Sequence, residues 1–308
     1  MRRFAGAAAL LAVAVAGVRP VTACINTYQH DDVVRPAQPS PEEIRQNLTT
    51  HTPRSEWERK RDAAEARFGY AVDYEAQSDY AAALIHLGEH LRAIPLLEQV
   101  EQDHPGLYAT ATNLGTAYEL SGNVEKALHW IREGIRRNPE SHEGTEWLHV
   151  KILEAKQAMA KDPAWLERHG VLGPDFGEGP RPTRPIITAN EAQKSIRALE
   201  YQLRERTAFV RPTEPIVADL LADLGNLYAL YRTPESAQVA YRFALDYGPV
   251  RRDLVASRLA YVDNLIWKAN AIHWAKWIAG GALVLVLGFW IVSRSLRGWT
   301  FHRSFRPA

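Results

Sequence analysis

His86-Leu87-Gly88-Glu89-His90 has the H-x-x-E-H spacing of an inverted zinc peptidase motif. That chemistry places two imidazoles one turn apart on a single helix, with the glutamate as base for a metal-bound water and a distant third ligand. Gly88, however, falls at a turn position of an internal repeat. His86 and His90 then belong to different helices, and we expect both in a solvated turn. A zinc metallopeptidase using His86, Glu89 and His90 therefore stands only as the alternative function.

Cys24 is the only cysteine in the 308 residues, so no intramolecular disulfide and no multi-cysteine metal site can form. Its neighbours His30, Asp31 and Asp32 match no standard metal spacing. Val21-Thr22-Ala23-Cys24 fits a bacterial lipoprotein cleavage box and makes Cys24 a candidate for lipidation. Arg19 and Pro20 separate that box from the apolar run before it, which favours plain cleavage after Ala23. The chain contains no P-loop, dinucleotide glycine motif or nucleophile elbow. We expect no catalytic residue, no metal and no small-molecule cofactor. Lys and Arg number 37 against 36 Asp and Glu. This near balance provides no one-sided basic surface and excludes nucleic acid as the partner.

Both ends of the chain indicate a membrane. Residues 1–23 combine Arg2 and Arg3, an apolar run from Phe4 to Val18, and small residues before the cut, the pattern of a secretory signal peptide. Near the other end, Trp274 to Val292 is an apolar stretch with a single charge, Lys276. As a helix it covers about 28 Å at ~1.5 Å per residue, enough for a bilayer core. Trp267, Trp274 and Trp277 lie at one edge, and Trp290 and Trp299 near the other. The basic tail, with Arg294, Arg297, Arg303 and Arg306, is expected in the cytoplasm. The expected layout is a transmembrane helix over 272–293, a cytoplasmic tail over 294–308, and a body outside the cytoplasmic membrane.

Within the body, Ala81, Gly88, Ala93 and Pro105 recur as Gly115, Gly122, Ala127 and Pro139, each 34 positions later. A fixed period of that length means stacked helical units, and the fold class is all-α. The expected parts are an N-terminal segment over 24–70 with a charged helix near 55–67, and repeat units over 71–162. A Gly/Pro-rich loop follows over 163–189. A helix, a further unit and a capping helix then occupy 190–268. Ser55 and Glu58 are read as the capping box of the charged helix.

Ala111, Leu114, Gly115, Tyr118, Ala127, Ile131 and Pro139 resemble the framework of the tetratricopeptide repeat. Leu221, Leu224, Gly225, Tyr228, Ala237, Tyr241, Ala244 and Pro249 repeat it. The stretches "PGLYATATNLGT" and "SHEGTEW" are also similar to a group of exported bacterial tetratricopeptide proteins of undetermined function. The resemblance implies a helical-hairpin array whose inner face binds an extended segment of a protein or peptide. The implied groove contains Ser78, Ile85, Thr112, Asn113, Thr116, Glu119 and Asn226. It does not match the Lys/Asn carboxylate clamp of chaperone adaptors. The expected function is a membrane-tethered, periplasm-facing scaffold for protein–protein interaction, non-catalytic and anchored through its C-terminal helix. A structural subunit of a membrane complex is the other alternative.

Overall fold

The structure, a computed structural model, describes residues 26–27, 38–68 and 73–302, without the side chains of 295–302. The expected signal peptide and Cys24 lie outside the described residues. Among those described there are thirteen helices and no strand, so the chain is all-α.

Helix α1 (Pro41–Thr49) starts at a reciprocal cap. Ser40 Oγ accepts the Glu43 N–H at 3.2 Å, and the Glu43 carboxylate accepts the Ser40 N–H at 2.7 Å. Helix α2 (Arg54–Phe68) is the expected charged helix, but Ser55 lies inside it and forms no cap. Glu58 instead accepts from Arg54 Nε at 3.0 Å, one turn back.

Helices α3 (Tyr74–His86) and α4 (His90–Asp103) form a hairpin, and α5 (Tyr108–Leu120) and α6 (Val124–Arg137) form another. Every boundary of the second hairpin lies 34 residues after its counterpart in the first. The turns match as well. Gly88 and Gly122 both have φ of 85°, a left-handed conformation that glycine adopts without a Cβ clash. The Glu89 N–H reaches back to the Leu84 carbonyl (2.8 Å) as the Asn123 N–H does to that of Tyr118 (2.9 Å). The helices touch at small residues. A Cβ on Gly115 would stand 2.5 Å from Ile131 Cδ1.

The one-turn element α7 (Ser141–Gly144) and helix α8 (Glu146–Lys161) follow. The short α9 (Trp165–Arg168) leads into an extended segment, then α10 (Ala189–Phe209). Helices α11 (Pro215–Tyr231) and α12 (Pro234–Tyr247) form the third hairpin, in which Gly225 meets Tyr241 as Gly115 meets Ile131, again with 2.5 Å for an added Cβ. Two cores result. One joins the first two hairpins through Leu84, Leu97, Leu114 and Ile131, and the other joins α8, α10, α11, α12 and α1. Helix α10 spans both, with Ile196, Leu199 and Leu203 in the second core and Phe209 against the first.

Two expected boundaries change. The 163–189 stretch is not simply a loop, because Val171, Leu172 and Phe176 are buried in the second core. The expected capping helix and membrane helix are one uninterrupted helix, α13 (Arg252–His302). Val255 and Val262 anchor its first part to the body. Among the described residues, Arg252–Arg294 is the one stretch of helix long and apolar enough to cross a membrane, and none of its apolar window is buried.

Candidate functional site

Tyr108, Thr112, Thr116 and Glu119 recur on α5 at steps of four, four and three, which puts them on one face. This is the inner face of the second hairpin, and the chain itself covers it. Beside Thr112, the Asn113 carboxamide faces the main chain of Asn26. The Asn26 N–H donates to Asn113 Oδ1 at 2.9 Å, and Asn113 Nδ2 donates to the Asn26 carbonyl at 3.0 Å. The Asn26 side chain donates through Nδ2 to Thr112 Oγ1 (2.7 Å), and its Oδ1 accepts from Tyr108 OH (3.1 Å).

His142 completes the enclosure, with Nε2 3.2 Å from Asn26 Oδ1 and Nδ1 hydrogen-bonded to Glu146. It sits in α7, where His142 (φ 51°) and Glu143 (φ 58°) both take the left-handed conformation. Each non-glycine residue so held costs about 1–3 kcal/mol, and such strain concentrates at ligand clamps. The ring also stacks on Tyr201 of α10, with 5.5 Å between centroids.

Behind His142 runs a buried chain of charges. Glu146 lies 3.3 Å from His149 Nδ1, and His149 Nε2 lies 2.6 Å from Glu119. Glu119 also receives Lys156 Nζ (2.7 Å) and both Arg206 terminal nitrogens (2.8 and 3.2 Å). Burial alone would raise the Glu119 pKa, but Arg206, Lys156 and His149 together hold it well below the carboxylate range. Burial would likewise depress His149 and His142, yet the carboxylates raise both: Glu119 and Glu146 for His149, Glu146 and Glu205 for His142. A cavity of about 40 Å³ remains beside Glu119, lined also by Thr116, His149, Gln202 and Phe209.

The expected groove residues are therefore not the lining of an open surface. Ser78 and Ile85 are wholly buried, with Ile85 in the first core. Thr112 and Asn113 hold Asn26. Thr116 is buried and bonds the Thr112 carbonyl at 3.1 Å, and Glu119 belongs to the charge chain. Asn226 is an internal fastener, accepting from Tyr241 OH and Arg258 Nη1, each at 2.8 Å. The inner face of the third hairpin is covered as the second is. Asp219 accepts the Val171 N–H at 2.8 Å, and Arg258 donates to the Phe176 carbonyl at 3.1 Å.

The H-x-x-E-H residues divide as the repeat implies: His86 ends α3, Glu89 precedes α4 and His90 begins it. Their expected solvation needs correction for His86, which is half-buried and stacks on both Trp57 (3.6 Å between centroids, near-parallel) and Phe209 (4.8 Å). Burial, with Lys60 nearby, holds its pKa well below the ordinary value. Glu89 pairs with Arg92. Among the described residues no group of three or more His, Cys, Asp or Glu is arranged to hold a metal.

Tyr108, His142, Glu146, His149, Arg206 and Asn26 were not singled out from residue pattern. A signal existed for the first three, which lie in the two stretches, "PGLYATATNLGT" and "SHEGTEW", that carry the wider resemblance. Nothing local marks Arg206 or Asn26, since each lies 87 residues from its partner on α5. No protein-family model matches the chain, and no curated protein matches it.

Proposed function

We propose that the chain is a membrane-tethered, periplasm-facing tetratricopeptide scaffold that binds extended segments of other envelope proteins and carries out no catalysis. The observation that carries this reading is the pairing of the Asn113 carboxamide with both main-chain polar groups of Asn26. Such a contact engages a guest through its main chain, the groups from which peptide-binding surfaces draw affinity. The 34-residue offset between hairpins and the glycine crossings at Gly115 and Gly225 support the repeat assignment. The signal-like start, the apolar part of α13 and the basic residues after it support export of the body, with the C-terminus in the cytoplasm.

The geometry does not favour the metallopeptidase alternative, because His86 and His90 stand on different helices and the His86 ring is stacked on Trp57 and Phe209. Crosslinking in intact membranes, followed by purification of the wild type and of Asn113→Ala, tests the scaffold. Partners that depend on Asn113 are expected, and an unchanged set of partners removes the proposal.

A further inference from the structure

The contacts around Asn26 exceed what is needed to hold a main chain. Asn113 already satisfies the backbone of that residue, yet three more groups address its side chain. Thr112 Oγ1 accepts from the carboxamide nitrogen, and Tyr108 OH and His142 Nε2 converge on the carboxamide oxygen. The Thr112 hydroxyl directs its own hydrogen toward the Tyr108 and Ala109 carbonyls, 3.2 Å from each, so it presents only a lone pair to the guest.

This pattern discriminates between side chains. Aspartate would set an acceptor oxygen against the Thr112 lone pair. Glutamine is one methylene longer and would carry its carboxamide past these partners. An apolar residue would remove the acceptor that Tyr108 and His142 share, and leaving these partly buried groups without that partner favours asparagine. The left-handed backbone at His142 and Glu143 is the strained element that aims the imidazole at the guest.

We propose that Tyr108, Thr112, Asn113 and His142 form an asparagine-reading socket, with Asn26 as its tethered occupant. A partner engages the socket by presenting an asparagine in an extended segment and displacing Asn26. The inference rests on the scaffold reading for the partner, though not for the socket. Only ten residues separate Thr27 from Gln38, where the described body begins. A short tether keeps the guest at an effective concentration on the order of millimolar, so an untethered ligand competes at a disadvantage.

The test uses the full chain in detergent and a fluorescent peptide copying residues 25–30, Ile-Asn-Thr-Tyr-Gln-His. The wild type is expected to bind it weakly. Asn26→Ala, with an unchanged helical circular dichroism spectrum, is expected to bind at least about tenfold more tightly. That gain should vanish when the peptide carries Asn26→Asp or when the protein also carries Asn113→Ala. Hydrogen exchange at the Asn26 amide gives a second measure, slow in the wild type and fast in Asn113→Ala.

Equal affinity in wild type and Asn26→Ala overturns the tethered occupant. Equal binding of the Asn and Asp peptides overturns the socket. Selective peptide binding without any crosslinked envelope partner refutes the scaffold and leaves the socket standing. A crosslinked partner without selective peptide binding does the reverse.

Discussion

Arg206 of α10 and Glu119 of α5 meet through two parallel hydrogen bonds, 2.8 and 3.2 Å, with both side chains buried. The pair fixes the end of α10 across the inner face of the second hairpin. It also assigns different tasks to the two ends of α5. The Glu119 end is tied to α10, and the Tyr108 end receives Asn26.

Glu119→Gln is expected to destabilise the fold by about 3–5 kcal/mol, because Arg206 and Lys156 would lose their shared counter-charge in a buried site. Arg206→Met should cost less, since Glu119 keeps Lys156 and His149. Urea unfolding of the full chain in detergent, followed by helical circular dichroism, compares the two. A Glu119→Gln variant as stable as the wild type contradicts this account of the network.

Docking of Asn26 is expected to weaken as pH rises. The His142 Nδ1 faces a carboxylate and must donate, so Nε2 can donate to Asn26 only when the ring is an imidazolium. Burial and His149 oppose that charge, but Glu146 and Glu205 outweigh them and the pKa is raised. A group raised above its unfolded value, about 6.5, contributes fully below that pH and loses its contribution as pH climbs through the folded value. Asn26 amide protection, corrected for intrinsic exchange, should fall about tenfold across that range. In His142→Gln, which titrates at neither end, the profile should be flat. The same slope in both proteins would place the effect elsewhere.

Gly115→Ala and Gly225→Ala are each expected to cost about 1–3 kcal/mol through overpacking against Ile131 and Tyr241. The expected sign is opposite to intrinsic propensity, which favours alanine in a helix by about 1 kcal/mol. Gly280→Ala, with nothing within 4 Å of the added Cβ, is the control and should be neutral or stabilising. Stabilisation by either of the first two would refute close helix contact at these positions.

Purified protein is expected to carry no stoichiometric zinc, measured by atomic emission. Trp57→Ala, which uncovers one face of His86, should destabilise the fold by about 3–5 kcal/mol without creating a metal site. One zinc per chain, lost in His86→Ala, would revive the peptidase alternative.

Local pattern revealed the hairpins, because Gly88 and Gly122 end helices through backbone geometry that needs no distant partner. The same kind of signal marks α1 at Ser40-Pro41-Glu42-Glu43, a cap with proline at the first helical position. At Ser55 and Glu58 the cap spacing misled, since Arg54 had already begun the helix and took Glu58 as its partner. On the inner faces, residue types were legible but exposure was not. Thr112, Glu119 and Asn226 suit a polar groove equally well whether solvent or protein fills it. What fills it arrives from Asn26, Arg206 and Arg258, at separations that helical periodicity does not encode. The Gly/Pro-rich stretch carried its own hint, because Val171, Leu172 and Phe176 are too apolar for a solvated connection.

Helix α13 has no joint between the body and its apolar stretch. Val262 is buried in the body, and Trp274 is exposed twelve residues further on, which on a continuous helix is a rise of about 18 Å. In the proposed topology this is a mast, and it sets heading as well as height. One residue inserted between Val262 and Trp274 would turn the Asn26 socket by roughly 100° about the mast. Seven inserted residues would restore nearly the original heading while lifting the body by about 10 Å. A partner fixed in the same bilayer would therefore feel the first insertion as a change of bearing and the second as a change of altitude.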